Sequence, residues 1–306
     1  MTLTELKYIV AVARERHFGR AAEACFVAQP TLSVAVKKLE EELDVRLFER
    51  GSNEITVTPL GEEIVRQAQA VLEQAHAIKE IAKRGKDPLA GALRLGVIYT
   101  IGPYLLPDLV RHTIAEVPQM PLILQENFTV KLLEMLRAGE LDCAILAEPF
   151  VDAGLAMATL YEEPFMVAVP RAHHLAQRSA VSAEELKRET MLLLGAGHCF
   201  RDHVLEVCPE FARFSSDAEG IRKSFEGSSL ETIKYMVASG MGVTVVPCMS
   251  VSKEPSPHVA YLPFEGHPPT RRVVLAWRRS FTRYEAIAAL RNAIYACPLE
   301  GVTRLS

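Results

Sequence analysis

The sequence predicts a small helical N-terminal domain closed by a β-hairpin, one long connecting helix, and an α/β domain of two lobes. Three observations predict it. Apolar residues recur at helical spacing three times before residue 44, and turn residues then separate two short β-prone runs. A coiled-coil-like apolar seam follows. Beyond it, apolar strands alternate with helices. With 306 residues, 49% of them hydrophobic, the chain is too long for one ordinary small core and apolar enough to fill two or three. The expected boundaries are 1–58, 59–87 and 88–306.

In residues 4–15, Leu6, Ile9, Val10 and Ala13 share one helical face, and Arg20 to Cys25 continues as a short alanine-rich helix. Gln29-Pro30-Thr31 starts a third helix, because proline is tolerated in a first turn, and Leu32, Val36, Leu39 and Leu43 line one side of it. The other side carries Thr31, Ser33, Val34, Lys37 and Lys38. Between residues 14 and 38, five basic side chains (Arg14, Arg16, Arg20, Lys37, Lys38) face two acidic ones (Glu15, Glu23), and the acids gather later, at Glu40 to Asp44. A helix that is polar and basic in its first half and acidic at its far end can enter a DNA major groove only by its N-terminal end. Val45 to Phe48 and Glu54 to Val57 flank Gly51-Ser52-Asn53 as a hairpin, or wing, with Arg50 near its tip. The set forms a winged helix-turn-helix; a three-helix bundle with merely solvated charges fits the same patterning.

Thr58-Pro59 with Glu62 and Glu63 supplies an N-cap, a first-turn proline and carboxylates at the positive end of a helix dipole. Ile64, Ala68, Val71, Ala75, Ile78 and Ala82 then recur at alternating fours and threes, a coiled-coil seam that ends at Lys83-Arg84-Gly85. Such a seam suits a dimer, although packing on the helix's own domain would use the same face. Lys86-Asp87-Pro88 is the expected hinge. From there strands are expected at Ala92 to Ile98, Leu122 to Glu126 and Cys143 to Ala147, with helices at Leu105 to Glu116 and Val130 to Ala138. A second unit starts at Phe165 to Val169 and runs through Met191 to Leu194 and Gly242 to Val246. The chain returns to the first lobe with Arg272 to Trp277 and a helix near Tyr284 to Tyr295. The expected fold is α/β, wound on a largely parallel sheet, with two crossings, two lobes and a cleft, like periplasmic binding proteins.

A formal net charge of −4 argues against indiscriminate nucleic-acid binding while leaving room for a local basic face. No charged-then-apolar leader or membrane-length apolar run is present, so neither secretion nor a membrane anchor is expected. Six cysteines at irregular spacings do not make a secreted disulfide framework and suit a reducing, cytoplasmic setting. Cys143 and Cys248 lie in or beside apolar strands, Cys25 lies beside Phe26, and Cys297 is uninformative. Cys199 differs, because Gly197-His198-Cys199-Phe200-Arg201-Asp202 sets it between potentially cationic side chains with Cys208 nearby. A neighbouring cation favours thiolate, the form that attacks a peroxide or disulfide, and a second thiol within reach can resolve the sulfenic acid.

Phe26-Val27-Ala28-Gln29-Pro30-Thr31-Leu32-Ser33, then Lys38 to Leu43 and Leu47-Phe48-Glu49-Arg50, closely resembles the DNA-binding signature of the LysR-type transcriptional regulators. Ala35 departs from the glutamine or arginine common there, and Asp44 stands where glycine is usual. Ser239 to Pro247 resembles a recurrent segment of the family's effector domain and lacks the third glycine of a dinucleotide fingerprint. The Cys199 segment resembles the hydrogen-peroxide-sensing members. The resemblance implies that Cys199 attacks peroxide and that Cys208 completes a disulfide. Thr100, Thr129 and His198 would surround the peroxide, with Arg201 and Asp202 from the same run. Arg271 or Arg272 would join them, only one of two consecutive strand residues being able to face a given pocket. It further implies a homodimer or homotetramer on double-stranded promoter DNA through Gln29, Pro30, Thr31, Ser33, Val34, Lys37, Lys38 and Arg50. RNA polymerase would be a partner, antioxidant genes the targets, and no cofactor, metal or enzymatic activity is expected.

Other chemistry fits the same residues. His198, Cys199, His203 and Cys208 could hold zinc, although that spacing matches no common zinc module. Cys199 could serve a thiol peroxidase, which would not need a helix-turn-helix. A regulator with a small metabolite in its cleft and incidental cysteines is the main alternative. Phe200 to Val207 has helical character, so Cys199 and Cys208 lie about 13 Å apart along a helix, whereas disulfide-bonded Cα atoms lie about 5.5 Å apart. Helix and disulfide are therefore mutually exclusive.

Overall fold

The computed structural model describes residues 1–50, 55–84, 87–151, 154–209, 224–227, 229–251 and 254–305. The tip of the expected wing at 51–54, the Arg50, Lys83 and Arg84 side chains, and Gly85 and Lys86 lie outside the described residues. The chain forms two compact units, one built chiefly on Met1–Asp87 and the other on most of the remainder.

The first unit contains α1 (Leu3–Glu15), α2 (Phe18–Ala24), α3 (Gln29–Leu43), an antiparallel β1 (Phe48–Arg50) and β2 (Ile55–Val57), and α4 (Pro59–Arg84). Side-chain caps fix the starts of α1 and α2. Thr2 and Glu5 form a reciprocal capping box on α1, and His17 Nδ1 accepts the Gly19 and Arg20 N–H groups to cap α2. Asp44 ends α3 in the left-handed region at φ 52°, a conformation aspartate tolerates better than most residues. Glu40 then accepts the Leu47 and Phe48 N–H groups at 2.7 and 3.2 Å, which ties the first wing strand to α3. Ile9, Val12, Leu32, Val36, Leu39 and Leu47 fill the core, and Ile9→Ala or Leu39→Ala would cost about 2–5 kcal/mol. The seam on α4 is split: Ala68 is buried against this core, whereas Val71 and Ile78 are exposed.

The second unit opens with β3 (Leu93–Ile98), α5 (Gly102–Glu116), β4 (Leu122–Asn127), α6 (Thr129–Arg137) and β5 (Cys143–Ala147). A 16-residue strand, β6 (Leu155–Pro170), leads to α7 (Ala183–Leu186), β7 (Met191–Leu194), α8 (Cys199–Val207) and β8 (Ser224–Gly227). Then come α9 (Leu230–Ala238), β9 (Thr244–Pro247), β10 (Val259–Pro263), β11 (Thr270–Arg278), α10 (Tyr284–Ala296) and β12 (Thr303–Arg304). The eight-stranded sheet runs β10-β6-β11-β5-β3-β4, with β9 and β12 also on β6, and β7 pairs with β8.

The sheet is mixed rather than the largely parallel one that the sequence suggests. β3 is parallel to β4 and β5, but β11 is antiparallel to β5 and β6, and β9 and β10 are antiparallel to β6. The cause is the return of the chain: β11 inserts between β5 and the first half of β6 and runs against both, while β6, which spans both lobes, keeps the direction of β3 and β5. β6 starts at Leu155 rather than near Phe165, and its first half belongs to the first lobe. A separate apolar cluster fills the second lobe, and Phe200, Val204 and Cys208 of the α8 segment are part of it.

Candidate functional site

Three chain segments meet beside Cys199. Thr100 follows β3 and Thr129 opens α6 just beyond β4, so the ends of two neighbouring parallel strands present both hydroxyls on one edge. Gly197, in the left-handed region at φ 97°, turns the chain from β7 so that Cys199 is the first residue of α8. Between them lies a cavity of ≈ 10 Å³ lined by Tyr99, Thr100, Phe128, Thr129, His198 and Cys199, among others. That is about the space one water-sized molecule occupies. His198 is buried, with its ring 4.8 Å from Phe128 and 5.8 Å from Tyr99 between centroids, so the three rings wall the cavity.

The electrostatics come from Arg271, which is 2% exposed. Its Nη1 donates to Thr100 Oγ1 at 2.7 Å and its Nη2 to the Thr100 carbonyl at 3.1 Å, while Nε donates to Glu163 at 2.8 Å. The guanidinium lies 5.2 Å from the Phe200 ring centre and interacts electrostatically with Cys199. Burial is the largest single influence and opposes its charge, but the Glu163 carboxylate together with Cys199 and Tyr161 outweighs it, so the pKa is raised and the group stays cationic. Glu163 is fully buried and also accepts the Met249 N–H at 3.0 Å. The Thr129 hydroxyl is different: it is buried and makes no hydrogen bond.

Four expected pocket residues do not line this cavity: Arg271, which reaches it only through Thr100, and Arg272, Arg201 and Asp202. Arg272 is one step along β11 from Arg271, so it faces the other side of the sheet and pairs with Glu162 at 2.7 Å on the surface. Arg201 turns back to donate to the Leu194 carbonyl at 2.9 Å, and Asp202 is exposed on the outer side of α8. The zinc reading fails on geometry. His203 Nε2 lies 2.7 Å from the Glu148 carbonyl, and Cys208 follows the far end of α8, buried, with its N–H on Val204 O. Glu163, Phe200 and the aromatic wall were not anticipated. The Glu162-Glu163 and Arg271-Arg272 doublets carried the signal, because β6 and β11 register them residue for residue.

All six cysteines are thiols. Burial pushes Cys25 and Cys143 up, Cys248 to about 12 and Cys297 to about 11.

In the first unit, Gln29, Pro30, Thr31, Val34, Lys37 and Lys38 are exposed on one side and end of α3, and Ser33 is half-buried. Gln29 Nε2 reaches Ser33 Oγ at 3.4 Å. Lys37 and Lys38 have only loose carboxylate neighbours, Glu41 at 3.5 Å and Glu5 at 3.9 Å. Among the described residues no helix is long and apolar enough to cross a membrane.

A helix-turn-helix joined to a two-part α/β domain defines a class of bacterial regulators, and the sequence falls within it. Residues 3–62 match the bacterial regulatory helix-turn-helix protein, lysR family, and residues 86–296 match the LysR substrate binding domain. The chain belongs to the LysR family, whose members are transcription regulators rather than enzymes. It is 38% identical over 292 residues, 94% of this chain and 95% of the other, to the hydrogen peroxide-inducible genes activator of Pectobacterium carotovorum subsp. carotovorum. Among solved structures it resembles a full-length Pseudomonas aeruginosa OxyR carrying a cysteine-to-aspartate substitution, with 48% identity and a TM-score of 0.76 over 100% of this chain and 99% of that one. It also resembles a hydrogen-peroxide-bound cysteine-to-serine mutant of Corynebacterium glutamicum OxyR, with 32% identity and a TM-score of 0.63 over 96% and 91%.

Proposed function

We propose that this chain is a cytoplasmic transcription regulator that senses hydrogen peroxide at Cys199 and controls antioxidant genes from promoter DNA. One observation carries the reading: a buried Thr129 hydroxyl without a partner opens into a cavity of ≈ 10 Å³ beside the Cys199 segment. A buried hydroxyl left unpaired is costly unless something occupies the site, and the space suits a molecule far smaller than a metabolite, whose pockets run to about 300 Å³ or more. The space beside Cys199 thus suits peroxide better than a metabolite.

The chemistry balances without a cofactor. The Cys199 thiolate attacks one peroxide oxygen, the O–O bond breaks, and the departing oxygen takes a proton to leave as water, giving sulfenic acid. The Cys208 thiol then attacks that sulfur, expelling a second water as the disulfide forms. Arg271 holds the Thr100 hydroxyl and carbonyl, so Thr100 and Thr129 flank a bound peroxide while the guanidinium offsets charge on the departing oxygen. Cys208 begins buried in the second-lobe cluster about nine helical steps from Cys199, so the disulfide forms only if α8 unwinds.

On the DNA side, Gln29, Pro30, Thr31, Ser33, Val34, Lys37, Lys38 and Arg50 form the docking surface. The exposed Val71 and Ile78 on α4 support a dimer that presents two such helices to a palindromic site. Pairing of dimers into a tetramer and contact with RNA polymerase complete the expected assembly. The test is a promoter footprint with and without peroxide. The footprint is expected to change in the parent and stay fixed in Cys199→Ser; a footprint that responds to peroxide equally in both overturns the proposal.

A further inference from the structure

The structure assigns a second, unrelated site: His173, His174 and Glu189 form a surface chelate for one late first-row divalent cation such as Zn²⁺. The residues come from separate places. His173 and His174 lie in the turn after β6, and Glu189 lies between α7 and β7. His173 Nε2 lies 3.2 Å from one Glu189 oxygen and His174 Nε2 3.4 Å from the other, and the three donor atoms fall within 4.8 Å of one another. A tetrahedral zinc ion with bonds of about 2.0–2.1 Å holds its ligand atoms about 3.3 Å apart. Each nitrogen already lies about that edge from one carboxylate oxygen, but the two reach different oxygens, so the imidazoles and the carboxylate must still converge on the ion.

The site is partly built before a metal arrives. The two imidazoles already lie side by side, 4.4 Å between centroids and tilted by 36° between planes. Glu189 is held by its backbone N–H on the Leu186 carbonyl at 3.0 Å, and its side chain is 17% exposed, so the carboxylate has a limited range. His174 is 69% exposed and leaves the outer positions open to water. Two imidazoles and a carboxylate suit Zn²⁺, Ni²⁺ or Cu²⁺, whereas Mg²⁺ and Ca²⁺ demand oxygen. In the metal-free chain His173 Nδ1 accepts the Leu175 N–H at 3.4 Å, which puts the ring proton on Nε2. Metal coordination at Nε2 moves that proton to Nδ1 and gives up this long contact.

A bound ion would cross-link the segment leaving β6 to the one entering β7, and thus stiffen the second lobe upstream of the Gly197 turn. The test uses the untagged full chain with its reactive thiols alkylated, so that cysteine sites are removed. Zn²⁺ is titrated against a chromophoric chelator, and the melting temperature is followed in parallel. One equivalent is expected to bind and to raise the melting temperature. His174→Ala, at an exposed position where folding is unaffected, is expected to weaken binding on the order of tenfold or more and to abolish the thermal shift, and Glu189→Gln to do the same. Parental affinity in His174→Ala, or no binding by the alkylated parent, overturns the assignment.

Discussion

The Arg271 guanidinium donates to the Thr100 hydroxyl at 2.7 Å and to the Thr100 carbonyl at 3.1 Å, so a cation from β11 fixes both polar atoms of a residue 171 positions earlier. The carboxylate that holds this cation is Glu163, on the neighbouring strand β6. The three residues act as one polar unit in an apolar interior, and their cross-strand register is what makes the unit possible.

Breaking that unit is expected to destabilise the fold. Glu163→Leu strands a buried guanidinium and should lower unfolding free energy by about 3–5 kcal/mol in a denaturant titration. Arg272→Ala, one residue from Arg271 but paired with Glu162 at the surface, should leave the midpoint nearly unchanged. Equal losses from both substitutions would contradict the buried and exposed assignments.

Thr129→Val separates binding from stability. The hydroxyl has no partner, so its replacement by an isosteric apolar group should leave stability unchanged or slightly higher. The same change removes a hydrogen bond to peroxide and should slow Cys199 oxidation on the order of tenfold. Stopped-flow consumption of peroxide, beside a melting curve, reads both.

Cysteine reactivity should divide sharply. Cys248 and Cys297 have thiols pushed to about 12 and about 11 by burial, and Cys25 and Cys143 are raised by the same cause. Burial therefore disfavours the reactive thiolate at all four. Competitive alkylation read by peptide mass should label Cys199 first. Labelling of Cys143 or Cys248 ahead of it would remove the basis for its role.

His203 should make stability depend on pH. Burial lowers its pKa, partly offset by the Glu148 carbonyl; Arg271 lowers it further, and Glu206 and Asp202 raise it. The unfolded imidazole, near about 6.5, therefore binds a proton that the folded one refuses. This contribution is fully present above the unfolded value and is lost as pH falls through the depressed folded value. His203→Gln should flatten the decline in melting temperature on acidification, and an unchanged decline would show that other groups set it.

Much of the molecule was legible in the sequence because periodicity and capping act locally. Pro30, Thr58-Pro59 and Asp44 mark helix limits through local backbone sterics and, at Thr58, a hydroxyl that accepts the Gly61 N–H. The family motif at Phe26 to Ser33 identified the DNA-binding part. What stayed hidden depends on register between distant strands: Arg271 and Arg272 are chemically alike, and only the pairing of β11 with β6 sends one inward and the other outward. Arg201 and Asp202 flank Cys199 in sequence yet point elsewhere, because successive helical residues diverge around the axis. The antiparallel insertion of β11 between β5 and β6 was hidden for the same non-local reason.

The DNA face should respond as a phosphate-binding surface. Lys37→Ala and Arg50→Ala should weaken operator binding and each reduce the slope of log K against log salt by about 1. Binding equal to the parent across a salt series would move the docking surface elsewhere.

The most demanding prediction concerns Cys208. Nine helical steps put it about 13 Å from Cys199, and a disulfide needs Cα atoms about 5.5 Å apart, so oxidation has to unwind α8 and draw Cys208, Val204 and Phe200 from the second-lobe cluster. Phe200 also lies against Arg271, so the same movement disturbs the unit that holds Thr100. A rearranged lobe alters DNA binding only if the assembly has two geometries to choose between. Cys208→Ser should therefore still consume one peroxide at Cys199, stall at sulfenic acid or a mixed disulfide, and keep the reduced footprint. Hydrogen exchange over residues 199–208 should rise on oxidation of the parent and stay low in the variant. A Cys208→Ser protein that reaches the parent's oxidised footprint would refute both the resolving role of Cys208 and the unwinding mechanism.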